Sequence, residues 1–422
     1  MKTSKLIGLV LLFLAGLSAR GESFRTDINP ALLYYQAFLL APKTMSDADW
    51  DYLGSKAGRE QKIPERFGPL LAGYDAQFKL VREAAQQKPA CDWGIDLSPG
   101  PGTLLPHLAF VKAVAMAAQP RAVWALQHGR QADARDDLLA AFVLGRNVAR
   151  DGTLIGVLVQ HASEAIIYAT VAQNFGQFSP ATLQQLADGF DAAPARVPVA
   201  AAILTEQSNH VDWLLNKLRQ LPRANPGSTA SLLVAIHADK ELAALENVGE
   251  DSGKTALAAD FWQHAVAASG GTRDGLLKLV QETEPLYVRL GKILALSGPE
   301  YDVQIQPFAA EIQASQNPFM QLLFPDPLRP RPREFKIEAW QAMVHAAVAY
   351  KLHGEAGLQG VMDPLGNGPF TCQRFVFEGV DRGFELKSAY AGLKYPCALI
   401  FVEKEGPAFR TDGPYLGHPL NP

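Results

Sequence analysis

The sequence predicts a mainly α-helical protein: antiparallel helical hairpins forming a bundle, closed by a small C-terminal antiparallel β-sheet. Three observations predict it. Apolar residues recur at spacings of three and four from Ile28 to the mid-350s. Short turns of Gly, Pro and Ser/Thr punctuate that pattern. From Thr371 onward the spacing becomes two, as in "TCQRFVFEG" and "GFELKSA".

The first 21 residues have the layout of a secretory signal peptide. Lys2 and Lys5 supply the positive start. Leu6 to Leu17 form an apolar run of 12 residues, too short to span ~30 Å of hydrocarbon comfortably. Ala19 and Gly21 then fit a small-x-small rule, which places cleavage between Gly21 and Glu22. An uncleaved N-terminal anchor is the other reading. No later run reaches ~18 consecutive apolar residues, so no membrane span is expected in the mature chain. The expected location is periplasmic or extracellular.

After the leader, Asn29 can cap a helix that Pro30 begins, with Leu32, Leu33, Phe38 and Leu39 as its apolar stripe. Ser46 with Asp49 announces a second, short helix. Phe67 to Val81 give a third. "CDWGIDLSPGPGTLLPH" is a Pro/Gly connection, with Thr103 as the expected cap of the next helix. Helical pattern then continues to residue 193, broken at Gly129, Gly152 and Gly176 and restarted at Ser179-Pro180. One stretch, "ALQHGRQADARDDLLAAFVLGRNVA", resembles a single hairpin of a tetratricopeptide-type array, but no 34-residue repeat continues it.

A second helical block runs from Val197 to Gly354. It includes a long amphipathic helix from Val197 to Pro222 and an expected extended linker at "NPFMQLLFPDPLRPRPREF". The last helix carries Trp340, Met343, Val344, Ala347 and Leu352. These should cover a sheet of three or four strands and form a terminal module with it. The chain therefore divides into residues 1–21 (leader), 22–195, 196–332 and 333–422.

The tail carries a resemblance. Tyr350, Lys351, Gly354, Gly357, Leu358, Asp363, Pro364, Gly366, Pro369, Phe370 and Ser388 occur in the order found in the globular part of the major pseudopilins of type II secretion. The apolar assembly helix and peptidase motif of that family do not precede the unit here, so filament assembly does not carry over. The whole chain resembles large exported helical proteins of bacteria that end in such a segment. That resemblance implies an architecture and no activity.

Composition narrows function further. Of 422 residues, 48% are hydrophobic and 19% charged, an ordinary globular balance. Without Lys2, Lys5 and Arg20, 36 basic face 43 acidic residues, a net charge of −7. That balance argues against nucleic-acid binding. Cys372 and Cys397 lie 25 residues apart, and export permits a disulfide between them. If the strands meander, however, they stand ~10 Å apart, too far to bridge. Cys91 is expected to be unpaired and buried.

No catalytic residue is singled out. Neither H-E-x-x-H, C-x-x-C nor G-x-S-x-G occurs, and "GNGPF" is not a dinucleotide fingerprint. His161 with Glu164, Glu206 with His210, and His237 with Glu241 each sit one helical turn apart. They read as solvated surface pairs. The Glu-x-x-His of di-iron bundles is absent, so neither metal nor cofactor is expected. Trp93, Trp124, Trp213, Trp262 and Trp340 offer core packing or an aromatic cleft.

The reading is a non-catalytic exported binding or scaffold protein of the cell envelope that engages a peptide, protein or glycan. The alternatives are a periplasmic hydrolase with a site assembled from distant helices, and an accessory component of a secretion or pilus-like system. N-terminal sequencing of the exported protein should start at Glu22; an intact leader on the exported chain would establish an anchor instead.

Overall fold

The computed structural model describes residues 25–42, 45–53, 62–223, 229–245, 260–324, 328–406, 409–411, 413 and 416–419. The leader and its cleavage point at Gly21 and Glu22 lie outside the described residues.

Helix α1 (Pro30–Leu39) starts where the sequence says: Asn29 Oδ1 accepts the Ala31 N–H at 3.1 Å, and Pro30 holds the first position. Its buried face is Ala31, Leu33, Tyr34, Ala37 and Phe38. Leu32 and Leu39, expected on that stripe, are 56% and 86% exposed. They lie two turns apart on the other side of the helix. Helix α2 (Asp47–Tyr52) begins with a capping box between Ser46 and Asp49. The third helical stretch breaks at Gly73 and Tyr74 into α3 (Gly68–Ala72) and α4 (Asp75–Ala85).

Four helices form the centre: α5 (His107–Gln127), α6 (Gln131–Val148), α7 (Leu154–Gln173) and α8 (Pro180–Ala192). Short connections make α5, α6 and α7 run antiparallel. Between α5 and α6 the Arg130 N–H bonds Ala125 O at 2.8 Å and the Gly129 N–H bonds Leu126 O at 2.9 Å. That Schellman turn needs the left-handed Gly129, φ +72°. Thr153 caps α7 and Ser179 caps α8. Thr103 does not cap α5. Pro106 intervenes and stands at the N-cap without a side-chain bond. Among the described residues, α7 is the helix long and apolar enough to cross a membrane by length and composition. Here it is a core helix, with Val157, Ile167, Tyr168 and Val171 fully buried.

The second block holds α9 (Val199–Glu206), a π turn (Gln207–Asp212) and α10 (Trp213–Gln220), read above as one helix. There follow α11 (Thr229–Ala238), α12 (Lys240–Ala244), α13 (Phe261–Ala268), α14 (Arg273–Gln281), α15 (Glu284–Leu294), α16 (Gly298–Ala314), α17 (Pro318–Leu323), α18 (Pro330–His353) and α19 (Glu355–Gln359). The expected Pro-rich linker is wrong over most of its described length. Pro318 and Pro330 each begin a helix, where a missing N–H costs nothing.

Strands β1 (Thr371–Phe377), β2 (Val380–Lys387) and β3 (Ala398–Val402) form an antiparallel sheet in the order β1-β2-β3. Glu378 and Gly379 join the first two with positive φ at both positions, as a tight hairpin requires. The expected fourth strand is an isolated bridge, Phe409 to Pro419. Cys372 lies opposite Leu386, and Leu386 opposite Leu399. Cys397 O accepts from the Ser388 N–H, so the two cysteines flank β2 on opposite sides. The Cys372–Cys397 bridge is not formed; both are free thiols, as is the buried Cys91. Asp363 Oδ2, from the tail motif, accepts the Ser388 hydroxyl at 2.7 Å and the Ala389 N–H at 3.1 Å.

The sheet is not a separate module. Phe384, Leu386, Leu399 and Phe401 belong to the same buried core as Ala31 of α1 and the central helices. Two helix ends cover it, where α18 alone was expected. Phe175, just after α7, sits edge-on to Phe384 and Phe401 at 5.7 and 5.2 Å. Tyr350 of α18 meets Phe384 at 5.0 Å. At Gly176 a Cβ would fall 2.2 Å from Glu403 O, so backbone meets backbone there.

A buried ionic cluster ties the centre to α18. Glu164 of α7 is fully buried and pairs with Arg146 of α6 at 2.9 Å and with Arg196, between α8 and α9, at 2.6 Å. Both arginines also donate to Gln341 Oε1 of α18, at 3.0 and 3.1 Å. Burial alone would lower the Arg196 pKa, but Glu164 outweighs it and raises it. Glu334 of α18 accepts the Val199 N–H at 3.1 Å. His161, expected at a solvated surface, is 3% exposed and its ring nitrogens meet no hydrogen-bonding partner. Burial first, and then the charges of Arg196, Arg146, Arg333 and Arg331, push its pKa down to about 3.

The pH dependence follows. Below the ordinary imidazole pKa of ~6.5, the unfolded chain takes up a proton that the folded chain refuses until about pH 3. Stability is therefore lost as pH falls through that window, by about 2 kcal/mol between pH 6.5 and 5 from this group. Urea unfolding at both pH values should show His161→Leu losing less than wild type by about that amount.

Candidate functional site

The structure separates the residues the sequence singled out. Glu206 and His210 do pair, at 3.2 Å, but Glu206 Oε1 also accepts the Leu154 N–H and so helps cap the start of α7. His161 and Glu164 are buried in the ionic cluster, and Glu164 is spent on arginines. Asp239 stops α11 and caps α12, which breaks the helix between His237 and Glu241. Ser269, Gly270 and Gly271 make a helix-ending turn. Among the described residues no group of three or more His, Cys, Asp or Glu is placed to hold a metal. Trp93, Trp262 and Trp340 are core residues, at 5%, 0% and 1% exposure. Trp124 and Trp213 are only partly buried, and each lines a cleft.

The sequence reading missed a second sealed histidine. His107 opens α5 fully buried, stacked on Trp93 at 4.6 Å, with Nε2 3.4 Å from Asp151 Oδ2. Trp93 in turn donates to Asn147 O at 2.8 Å. This assembly fastens the Pro/Gly connection to the bundle and offers no opening to solvent.

The Trp124 cleft, about 450 Å³, lies between α3, α4, α5 and α6. Its floor is Asp137, 3% exposed at the side chain, held by Arg82 and by Arg121 Nε at 2.9 Å. Arg121 also reaches Asp75 at 2.8 Å and Leu71 O at 2.7 Å. Burial raises the Asp137 pKa, opposed by Arg121 and Arg82. The charges in this cleft largely satisfy one another, and its deepest carboxylate has two cationic partners already.

The Trp213 groove, about 510 Å³, has a different character. One wall is the helix from the π turn through α10; the other is the Leu97–Pro99 loop, with Glu241 of α12 at one end. Ser208, Asp212, Asn216 and Gln220, four residues apart in turn, all line it. In a pure α-helix such a row winds slowly around the axis, because four residues overshoot a 3.6-residue turn. A π turn, closed i to i+5, holds more residues per turn and turns the row back. The bulge thus straightens a polar row along the groove.

Trp213 stands beside that row. Gly100, φ +63°, packs against the indole so closely that a Cβ would fall 2.4 Å from its Cγ. The indole is therefore held in place while part of it faces the groove. The groove's cation, Lys217, is bound to Glu241 and reaches Asp239 at 3.4 Å. Its pKa is raised, chiefly by Glu241. The arrangement offers hydroxyl, amide and carboxylate groups beside one fixed aromatic surface, with its positive charge already neutralised.

Gly100→Ala should displace the indole. It adds the clash to a left-handed backbone penalty of about 1–2 kcal/mol, and tryptophan emission shifted to the red, with a lowered thermal midpoint, checks it. No family model matches the chain, and neither the curated proteins nor the solved structures hold a match to it.

Proposed function

We propose that this is a non-catalytic binding protein of the cell envelope, exported and then holding an extended polar ligand in the Trp213 groove. One observation carries the reading: a half-buried tryptophan, locked by Gly100, stands beside polar side chains that line one groove across a π turn. π turns of this kind frequently mark functional sites. The rest of the molecule supports a rigid frame for that groove. Helix α9 packs on α15, and its last residue, Glu206, fixes the start of α7. The leader-like first 21 residues support the location.

The test uses the immobilised mature protein and Trp213→Ala side by side in envelope extract. Wild type should retain a component that the variant loses, with circular dichroism unchanged between them. Equal retention by both proteins, or none by either, overturns the reading.

A further inference from the structure

Resting on that reading of the groove, we infer that its ligand is a neutral or N-acetylated oligosaccharide. The class follows from what the groove presents. Sugar rings expose weakly polarised C–H faces that suit the negative face of an aromatic ring. Their edges carry hydroxyls, and N-acetyl groups where present, which pair with amide, hydroxyl and carboxylate groups.

The groove has both elements. Trp213 supplies the aromatic surface, while Ser98, Ser208, Asp212, Asn216 and Gln220 supply donors and acceptors along it. Asp212, Asn216 and Gln220 are exposed to a ligand; Asn216 Oδ1 already accepts from the Arg219 guanidinium at 2.8 Å, so Asn216 offers its NH2 group.

The competing ligand classes fit less well. An anionic polymer needs unneutralised cations, and Lys217 already faces two carboxylates. A peptide recognised by its side chains needs apolar pockets, and Leu97 and Pro99 are the aliphatic lining beside the indole. The groove's length suits a chain rather than a single ring. Ser208, Asp212, Asn216 and Gln220 span twelve residues of helix, about 18 Å at 1.5 Å per residue. That is the length of several sugar rings laid end to end.

The experiment titrates the mature protein with tri-N-acetylchitotriose, cellotetraose and maltotetraose, read by calorimetry and by tryptophan emission. At least one should bind with a dissociation constant below ~1 mM. Asn216→Ala and Gln220→Ala, both at exposed positions and safe for the fold, should each weaken it several-fold, and Trp213→Ala by ~10-fold or more. Affinity should hold from low to high salt, because no net charge is exchanged.

Three results overturn the inference: no binding of any probe, binding that Trp213→Ala leaves intact, or binding that collapses with salt. Its failure is separable from that of the broader reading. Retention of a peptide from envelope extract that depends on Trp213 sinks the oligosaccharide and keeps the groove. Extract retention indifferent to Trp213 sinks both.

Discussion

The fold hangs on one buried carboxylate. Glu164 sits in the middle of the core helix α7 with no exposure, and a lone charge there would cost several kcal/mol. Two guanidiniums offset that cost, and each donates a further hydrogen bond to Gln341. The four side chains come from α6, α7, the connection after α8, and α18. Losing Glu164 would strand both guanidiniums, so the cluster constrains how far apart those elements stand. The geometry is closed in a way that apolar packing, which tolerates sliding, is not. Glu334, bonded to the Val199 N–H, extends the same tie to the start of α9 and so to the helix that carries the groove.

Much of the architecture was legible in the sequence because its causes are local. Caps at Asn29, Ser46 and Ser179 act within three residues, and each is where a short polar side chain meets an apolar period. The change of period at Thr371 is equally local, and it located the sheet. Errors arose where distant contacts decide. Pro318 and Pro330 sit in a Pro-rich stretch that composition assigns to a linker, yet packing of Phe319, Met320 and Phe335 turns each into a helix start. Leu32 and Leu39 look like core leucines until the partner face is known.

The site was less legible than the fold. Trp213 was noted as one aromatic among five, and Glu206 with His210 as one pair among three. Nothing local separates them from the rest. A π turn adds no residue type of its own to the sequence, and the leucines of α10 continue the helical stripe across it. The one local hint is glycine: Gly100 sits in "SPGPG", where a left-handed turn is easily formed. Its partner across the gap, a tryptophan 113 positions later, is purely tertiary. The ionic cluster was hidden for the same reason. Arg146, Glu164, Arg196 and Gln341 have no common spacing, and each alone resembles an ordinary surface residue of a helix or connection.

The close approach at Gly176 has a mechanical consequence. The peptide after α7 rests directly on the chain at Glu403, just past β3, with no side chain between them to yield. Load that presses the C-terminal segment inward therefore meets the bundle at once, backbone on backbone, whereas load that draws it away is borne by the ladder between β2 and β3.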